Sequence, residues 1–255
     1  MGKYKSQIFK YLVEILVIIF GIVGAFALDS WNQNRNNKIL EQKVIQQIKE
    51  DLIVVLQDLK NDFIVHEIAL KSHFRLDSVI KNRVTYADKM TFDFYWIKED
   101  EYIFPNRTGY QTLESFGTNL LSNQELKSYI SYVYNHDFPR ITKGNNLYPD
   151  INEFLTPYYQ QNFKTNVNPD LKYTLILAEN YKITYPREIK LGKDVDLEFI
   201  GFTPLDFKKT VNDNEFQYLL SESKKYRIYK YKMYKNTVEH VEELIKLIDK
   251  FAKGS

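Results

Sequence analysis

Residues 65 to 73, VHEIALKSH, bring together side chains that do chemistry in other proteins. His66 and His73 stand seven apart, with Glu67 beside the first. A zinc protease helix needs two histidines four apart with its glutamate between them, and that spacing is missing. Seven residues is two helical turns, so the pair reads as histidines on one partly buried helix face. His136 and His240 have no motif around them. Asp194-Val195-Asp196-Leu197-Glu198 alternates acids as a calcium loop does, but without the glycine and the closing glutamate it reads as an exposed edge or loop. No phosphate-cradling glycine loop, nucleophile elbow or dinucleotide fingerprint occurs. Cysteine is absent, which removes disulfides, thiolate metal sites and cysteine nucleophiles together. The sequence therefore predicts no catalytic residue, no cofactor and no metal, hence a protein that is not an enzyme.

The densest charge is KKYRIYKYKMYK, Lys224 to Lys235, where six basic residues interleave with four tyrosines. Such a run suits nucleic-acid bases or anionic lipid. The helical stripe there passes through Tyr226 and Met233, which leaves most of the lysines on the opposite, solvated face. Lys224, Arg227, Lys230 and Lys232 are the candidate partner surface on that face. Over the whole chain 35 basic residues nearly balance 33 acidic ones, so nucleic acid is not an expected partner.

Glu14 poses the sharpest question, because it lies in EILVIIFGIVGAFALDSW. Tyr11 to Leu28 is eighteen residues with one charge, the length of a membrane span. Twelve of them are Leu, Ile, Val or Phe, contributing about −5 kcal/mol to insertion against roughly +3 kcal/mol for a central acid. Ala25-Phe26-Ala27 fits a signal-peptide cleavage site, but the run is long for a signal and contains an acid, so retention is expected. Tyr11 and Trp31 bracket the span as interfacial anchors. Lys3, Lys5 and Lys10 precede it and Arg35, Lys38 and Lys43 come after, which favours a cytoplasmic N-terminus by a small margin. On a helix wheel Glu14, Ile18, Gly21, Ala25 and Leu28 fall within about 80° of one another. Gly21 and Ala25 form the small-xxx-small pair of closely packed membrane helices. Glu14 then has three roles open to it: snorkelling to the headgroups, packing in an interface with another copy or a second membrane protein, or lining an ion path.

The elements that would carry these residues are mainly α. The expected order is a cytoplasmic tail (1–10), the membrane helix (11–28), an asparagine-rich neck (29–38) and an extracytoplasmic helical domain (39–253), with 254–255 a cloning remnant. Ile45, Ile48, Leu52, Val55, Leu59, Phe63 and His66 trace a stripe toward Leu70, predicting a helix over 39–81 about 65 Å long. Phe216, Leu219, Ser223, Tyr226, Met233, Thr237, Val241, Leu244, Ile248 and Phe251 trace another, opened by the caps Asn212 and Asp213. Two such helices at the ends of one domain most easily lie antiparallel, which sets Lys230 about 30 Å from the neck, out of reach of lipid. Between them, 110–116 ends at Gly117, Ser122 and Glu125 form a capping box, and Pro139 should bend or stop the helix begun there. A further helix is expected within 145–163, interrupted by Pro149 and Pro157. Residues 173–202, with Pro186 and Gly192, read as one hairpin or a long loop.

KYLVEILVIIFGIVGAFALDSWNQNR, with Glu14, Gly21-Ile22, Gly24-Ala25 and Trp31-Asn32, resembles the opening of an uncharacterised family of single-span membrane proteins of Bacteroidota. YQTLESFG, NQELKSYISYVY and NDNEFQYLL also look similar, with Gly117 in place of a glycine that usually follows two serines. The resemblance implies a membrane-anchored helical protein and no activity. Together these features predict a bacterial inner-membrane homo-oligomer with a periplasmic helical domain, serving as sensor, scaffold or adaptor. The alternative is an ion-coupled or pore-forming subunit using Glu14; its layout of one span, an early acid and a large outer domain resembles ion-motor stator subunits in arrangement only.

Overall fold

The computed structural model describes every residue except 1, 167, 169, 186–187, 192–193, 198–200 and 255. Side chains of 2–13, 15, 188–191, 194–197 and 254 are not described, so the side chains of Tyr11, of the basic residues before it and of the acids at 194–198 lie outside the described set. Helix α1 runs without a break from Gly2 to Lys81. At 1.5 Å per residue it is about 120 Å long. The expected neck at 29–38 is thus helical, although every one of its residues is exposed. Propagation explains this. Each asparagine costs a few tenths of a kcal/mol in a helix, whereas ending one helix and nucleating another costs far more. Local contacts help: Gln33 donates to Asp29 over 2.7 Å, and the Arg35 guanidinium lies 6.0 Å from the Trp31 ring.

The last helix, α8 (Asn214–Gly254), packs antiparallel on the outer part of α1. Its start is set by Asp213, whose carboxylate accepts the Glu215 N–H at 2.9 Å. Contacts between the two rise along one helix as they fall along the other: Lys49–Asp249, Lys60–Glu242, Arg227–His66, Ser223–His73 and Lys224–Asp77. The inward stripe of α8 is Phe216, Leu220, Ser223, Arg227, Lys230, Tyr234, Thr237, Val241, Leu244 and Ile248, all buried. Its steps alternate four and three, the spacing of a coiled-coil seam. On α1 the matching line is Glu41, Ile45, Ile48, Leu52, Val55, Leu59, Asp62, His66, Ala69, His73 and Leu76. The sequence stripe through Phe63, Tyr226 and Met233 is therefore one position off in the middle. Counting apolar residues cannot follow a seam whose central positions are polar.

Shorter elements wrap this pair. α2 (Met90–Trp96) leads into an extended segment at 99–103. α3 (Thr108–Phe116) ends, as expected, at Gly117, whose φ of 83° suits glycine. α4 (Gln124–Tyr132) is capped by Asn123, which accepts the Leu126 N–H, not by Ser122. Ser122 instead donates its N–H and its hydroxyl to Glu41, at 2.6 and 2.8 Å, so a tertiary partner displaces the local box. Pro139 does not stop the chain: a π turn (Val133–Asp137) precedes it and α5 (Phe138–Ile141) carries on. The wider turn eases the clash between a helical proline and the carbonyl one turn back. α6 (Ile151–Asn162) likewise runs through Pro157.

The stretch 173–202, read as one hairpin or a long loop, holds two hairpins, and a further strand pair closes around it. β1 (Phe163–Thr165) pairs antiparallel with β6 (Phe202–Pro204), β2 (Tyr173–Ile176) with β3 (Lys182–Tyr185), and β4 (Glu188–Leu191) with β5 (Asp194–Leu197). Strands of three or four residues carry too little alternation to be seen in sequence. α7 (Phe207–Asn212) then leads into α8. The apolar side chains gather in one core around Ile48, Leu52, Tyr134 and Leu244 and a second around Phe94, Tyr159, Phe163 and Phe216. A small satellite centres on Trp96. Between the two main cores the α1–α8 seam turns polar.

Candidate functional site

The polar stretch of the seam is closed over by the 99–103 segment. Arg227 and Lys230, one turn apart on α8, are both fully buried, and both face Asp100, whose side chain is 1% exposed. Arg227 also donates to the Glu99 carbonyl and, over 2.5 Å, to Nδ1 of His66. Lys230 sits 3.9 Å from the centre of the Tyr102 ring. Tyr234, one turn on, donates to the Glu101 carbonyl at 3.0 Å and packs its ring 4.4 Å from that of His66. Two cations and one fully buried carboxylate in close contact form a centre whose members depend on each other for their charge.

That environment sets the protonation of its neighbours. Burial, and then the charges of Arg227 and Lys230, hold the His66 pKa well below the ordinary imidazole value. A neutral His66 can therefore accept from Arg227. Deeper along the seam His73 bonds the Ala69 carbonyl through Nδ1 at 2.8 Å and Ser223 Oγ through Nε2 at 3.1 Å. Since a carbonyl only accepts, the proton is on Nδ1; burial lowers this pKa to about 3. The carboxylates move the other way. Burial, aided by the charge of Glu101, raises both Asp62 and Glu99 to about 7. Burial depresses Lys230 to about 8, although Asp100 opposes that shift. A centre built this way takes up or releases protons near neutrality.

A second polar cluster sits at the π turn. Asp137, nearly buried, bonds His240 Nδ1 at 2.8 Å and His136 Nδ1 at 2.9 Å, and Tyr132 stacks on His136. It borders a cleft of about 240 Å³ that also meets Arg140, Tyr229 and Thr237. The Thr237 hydroxyl donates to the Met233 carbonyl at 2.9 Å, so it is not presented to His240 as a nucleophile. Among the described residues no group of three or more His, Cys, Asp or Glu has the geometry to hold a metal ion.

Compared with protein-family models, with curated proteins and with solved structures, the chain matches none.

The sequence-derived site residues divide three ways. Glu14, Ile18, Gly21, Ala25 and Leu28 lie exposed on α1, and Trp31 is 62% exposed. The helix that carries them is the one helix, among the described residues, long and apolar enough to cross a membrane. Lys232 is exposed as expected, while Lys224 is part-buried in an ion pair with Asp77. Arg227 and Lys230 are a correction. They do not belong to a solvated partner surface but to the seam, because positions 227 and 230 continue its four-three spacing and Asp100 offsets their charge. Asp100, Asp62 and Glu99 carry no mark in the sequence at all. The one available signal was Arg227 and Lys230 falling on the line from Ser223 to Thr237.

Proposed function

We propose that this chain is a single-span protein of a bacterial inner membrane, with its N-terminus in the cytoplasm and its helical domain in the periplasm. It acts without catalysis, as a self-associating sensor, scaffold or adaptor. One observation carries the reading: the apolar part of α1 has no cover from any other described element. Phe20 is 73% exposed, Phe26 69% and Leu28 69%, while residues that pack into the bundle begin at Leu40. A continuous apolar surface of this kind calls for lipid or another helix. Glu14, Ile18, Gly21, Ala25 and Leu28 supply a face suited to a second copy or a second membrane protein, with the small residues admitting a close backbone. Since α1 continues unbroken into the seam, a shift of the polar centre would move the membrane segment as one rod.

Carbonate washing of membranes and sedimentation in detergent test the proposal. The chain should stay in the pellet, and Gly21→Ile should lower the oligomer mass. Release by carbonate would remove the anchor; an unchanged mass would remove self-association through this face. An ion current abolished by Glu14→Gln would replace the scaffold reading with an ion-coupled one.

A further inference from the structure

Beside the π turn, away from the polar seam, lies a cavity of about 470 Å³ with no assigned role. Its walls are apolar: Ile103, Phe104, Phe138 and Pro139. Phe104 is 84% exposed at its rim, an aromatic ring left with little to pack against. Two polar groups in its lining lack partners. Tyr134 is 1% exposed, yet its hydroxyl has no hydrogen-bond partner, and the buried Nε of Arg107 has none either. A donor shut away from both water and an acceptor costs about 1–3 kcal/mol, and a small turn of either side chain toward the cavity would let an occupant relieve that cost.

The chemistry of the lining says which. Nε of Arg107 can only donate, and the Tyr134 hydroxyl has its proton free to give. Arg107 makes no ion pair among the described residues; its guanidinium rests 5.4 Å from the Tyr110 ring. The nearby Asp51 is already bound by Asn106 at 2.7 Å, by the Gly109 N–H at 2.8 Å and by Gln47 at 3.1 Å, and it does not line the cavity. Lys143 also lines it and is engaged with Asp150 and Glu153 at 3.8 and 3.5 Å. The result is a slot with apolar walls, a cation without an ion pair among the described residues and two idle donors. Its volume falls in the range of small-molecule sites.

We infer that this cavity binds a small organic anion, a carboxylate or phosphate on an apolar or aromatic body, with Arg107 and the Tyr134 hydroxyl holding the anionic oxygens. The body lies between Phe104 and Pro139. A membrane lipid is not the source. α3, just beyond Arg107, packs on α1 at Asp51, and Asp51 stands roughly 35 Å along α1 from Leu28. The site does not depend on the membrane reading.

Titration calorimetry on the full chain held in amphipol tests the assignment, with 2-naphthoate and 2-naphthyl phosphate as probes and neutral 2-naphthol as control. At least one anion should bind once per chain, about tenfold tighter than naphthol. Arg107→Gln should abolish that preference while Tm stays within about 2 °C of the parent. Tyr134→Phe should weaken the anions severalfold, and Phe104→Ala, at an exposed position that folding does not need, should weaken anions and naphthol alike. Naphthol binding as tightly as the anions, an unchanged affinity in Arg107→Gln, or no saturable anion binding up to millimolar concentration would each overturn the inference. Should Arg107→Gln fail to fold, Phe104→Ala with an unchanged affinity would do so on its own.

Discussion

Asp100 is the residue on which the polar centre turns. Removing it leaves Arg227 and Lys230 buried without a counter-charge, a defect worth about 3–5 kcal/mol. Asp100→Ala should lose that much in urea unfolding, while Asp100→Leu combined with Arg227→Met and Lys230→Met should recover most of it. A triple variant as weak as the single one would mean that the ions add net stability beyond their own desolvation. The pH dependence has two opposing parts. Asp62 and Glu99, raised from 3.8 and 4.5 to about 7, bind protons on folding, so their contribution is present at the acid end of that window and lost as pH rises through about 7. His66 and His73 are depressed from 6.5, so they cost stability as pH falls below that value. Asp62→Asn isolates one part. Its stability minus that of the parent should climb between pH 4 and about 7 and level off above, read from urea midpoints across a pH series. None of these carboxylates was legible in the sequence, because neither the acidic run KEDEY nor an acid on a helix, as Asp62 is, gives a sign of what will fold over it.

Among the elements, α3 depends most on close approach. A side chain at Gly109 would place its Cβ 2.7 Å from the Ile48 nitrogen and 2.9 Å from Ile48 Cγ1, and the same closeness lets the Gly109 N–H reach Asp51. Gly109→Ala should therefore cost about 1–3 kcal/mol by pushing α3 off α1, measurable as a lowered urea midpoint with an unchanged m-value. The long helices were readable, since forty residues of period near 3.6 leave little alternative. The cap at Asn123, the π turn before Pro139 and the short strands were not. The first, and one of the three strand pairs, are settled by partners distant in sequence: Glu41 takes Ser122, and β1 finds β6 almost forty residues on.

For the whole molecule, the rod and the bundle are separable in energy. Among the described residues none before Leu40 enters a core, so a chain beginning at Lys38 should unfold within about 2 °C of the full protein in scanning calorimetry. A much lower Tm would reveal a stabilising role for the exposed segment, through assembly or otherwise. The sequence by itself determined the mainly α class, the long first and last helices and the uncovered apolar stretch. All three are local properties of hydropathy and period, which the chain carries wherever it folds. Only the tertiary structure decided that Arg227 and Lys230 turn inward, that His66 meets Arg227 and His73 meets Ser223 across the seam, and that Arg107 and Tyr134 share a cavity. Charge is costly to bury in isolation, so a lysine in a helix reads as exposed until its counter-ion is known. Here that counter-ion, Asp100, comes from a segment more than a hundred residues away.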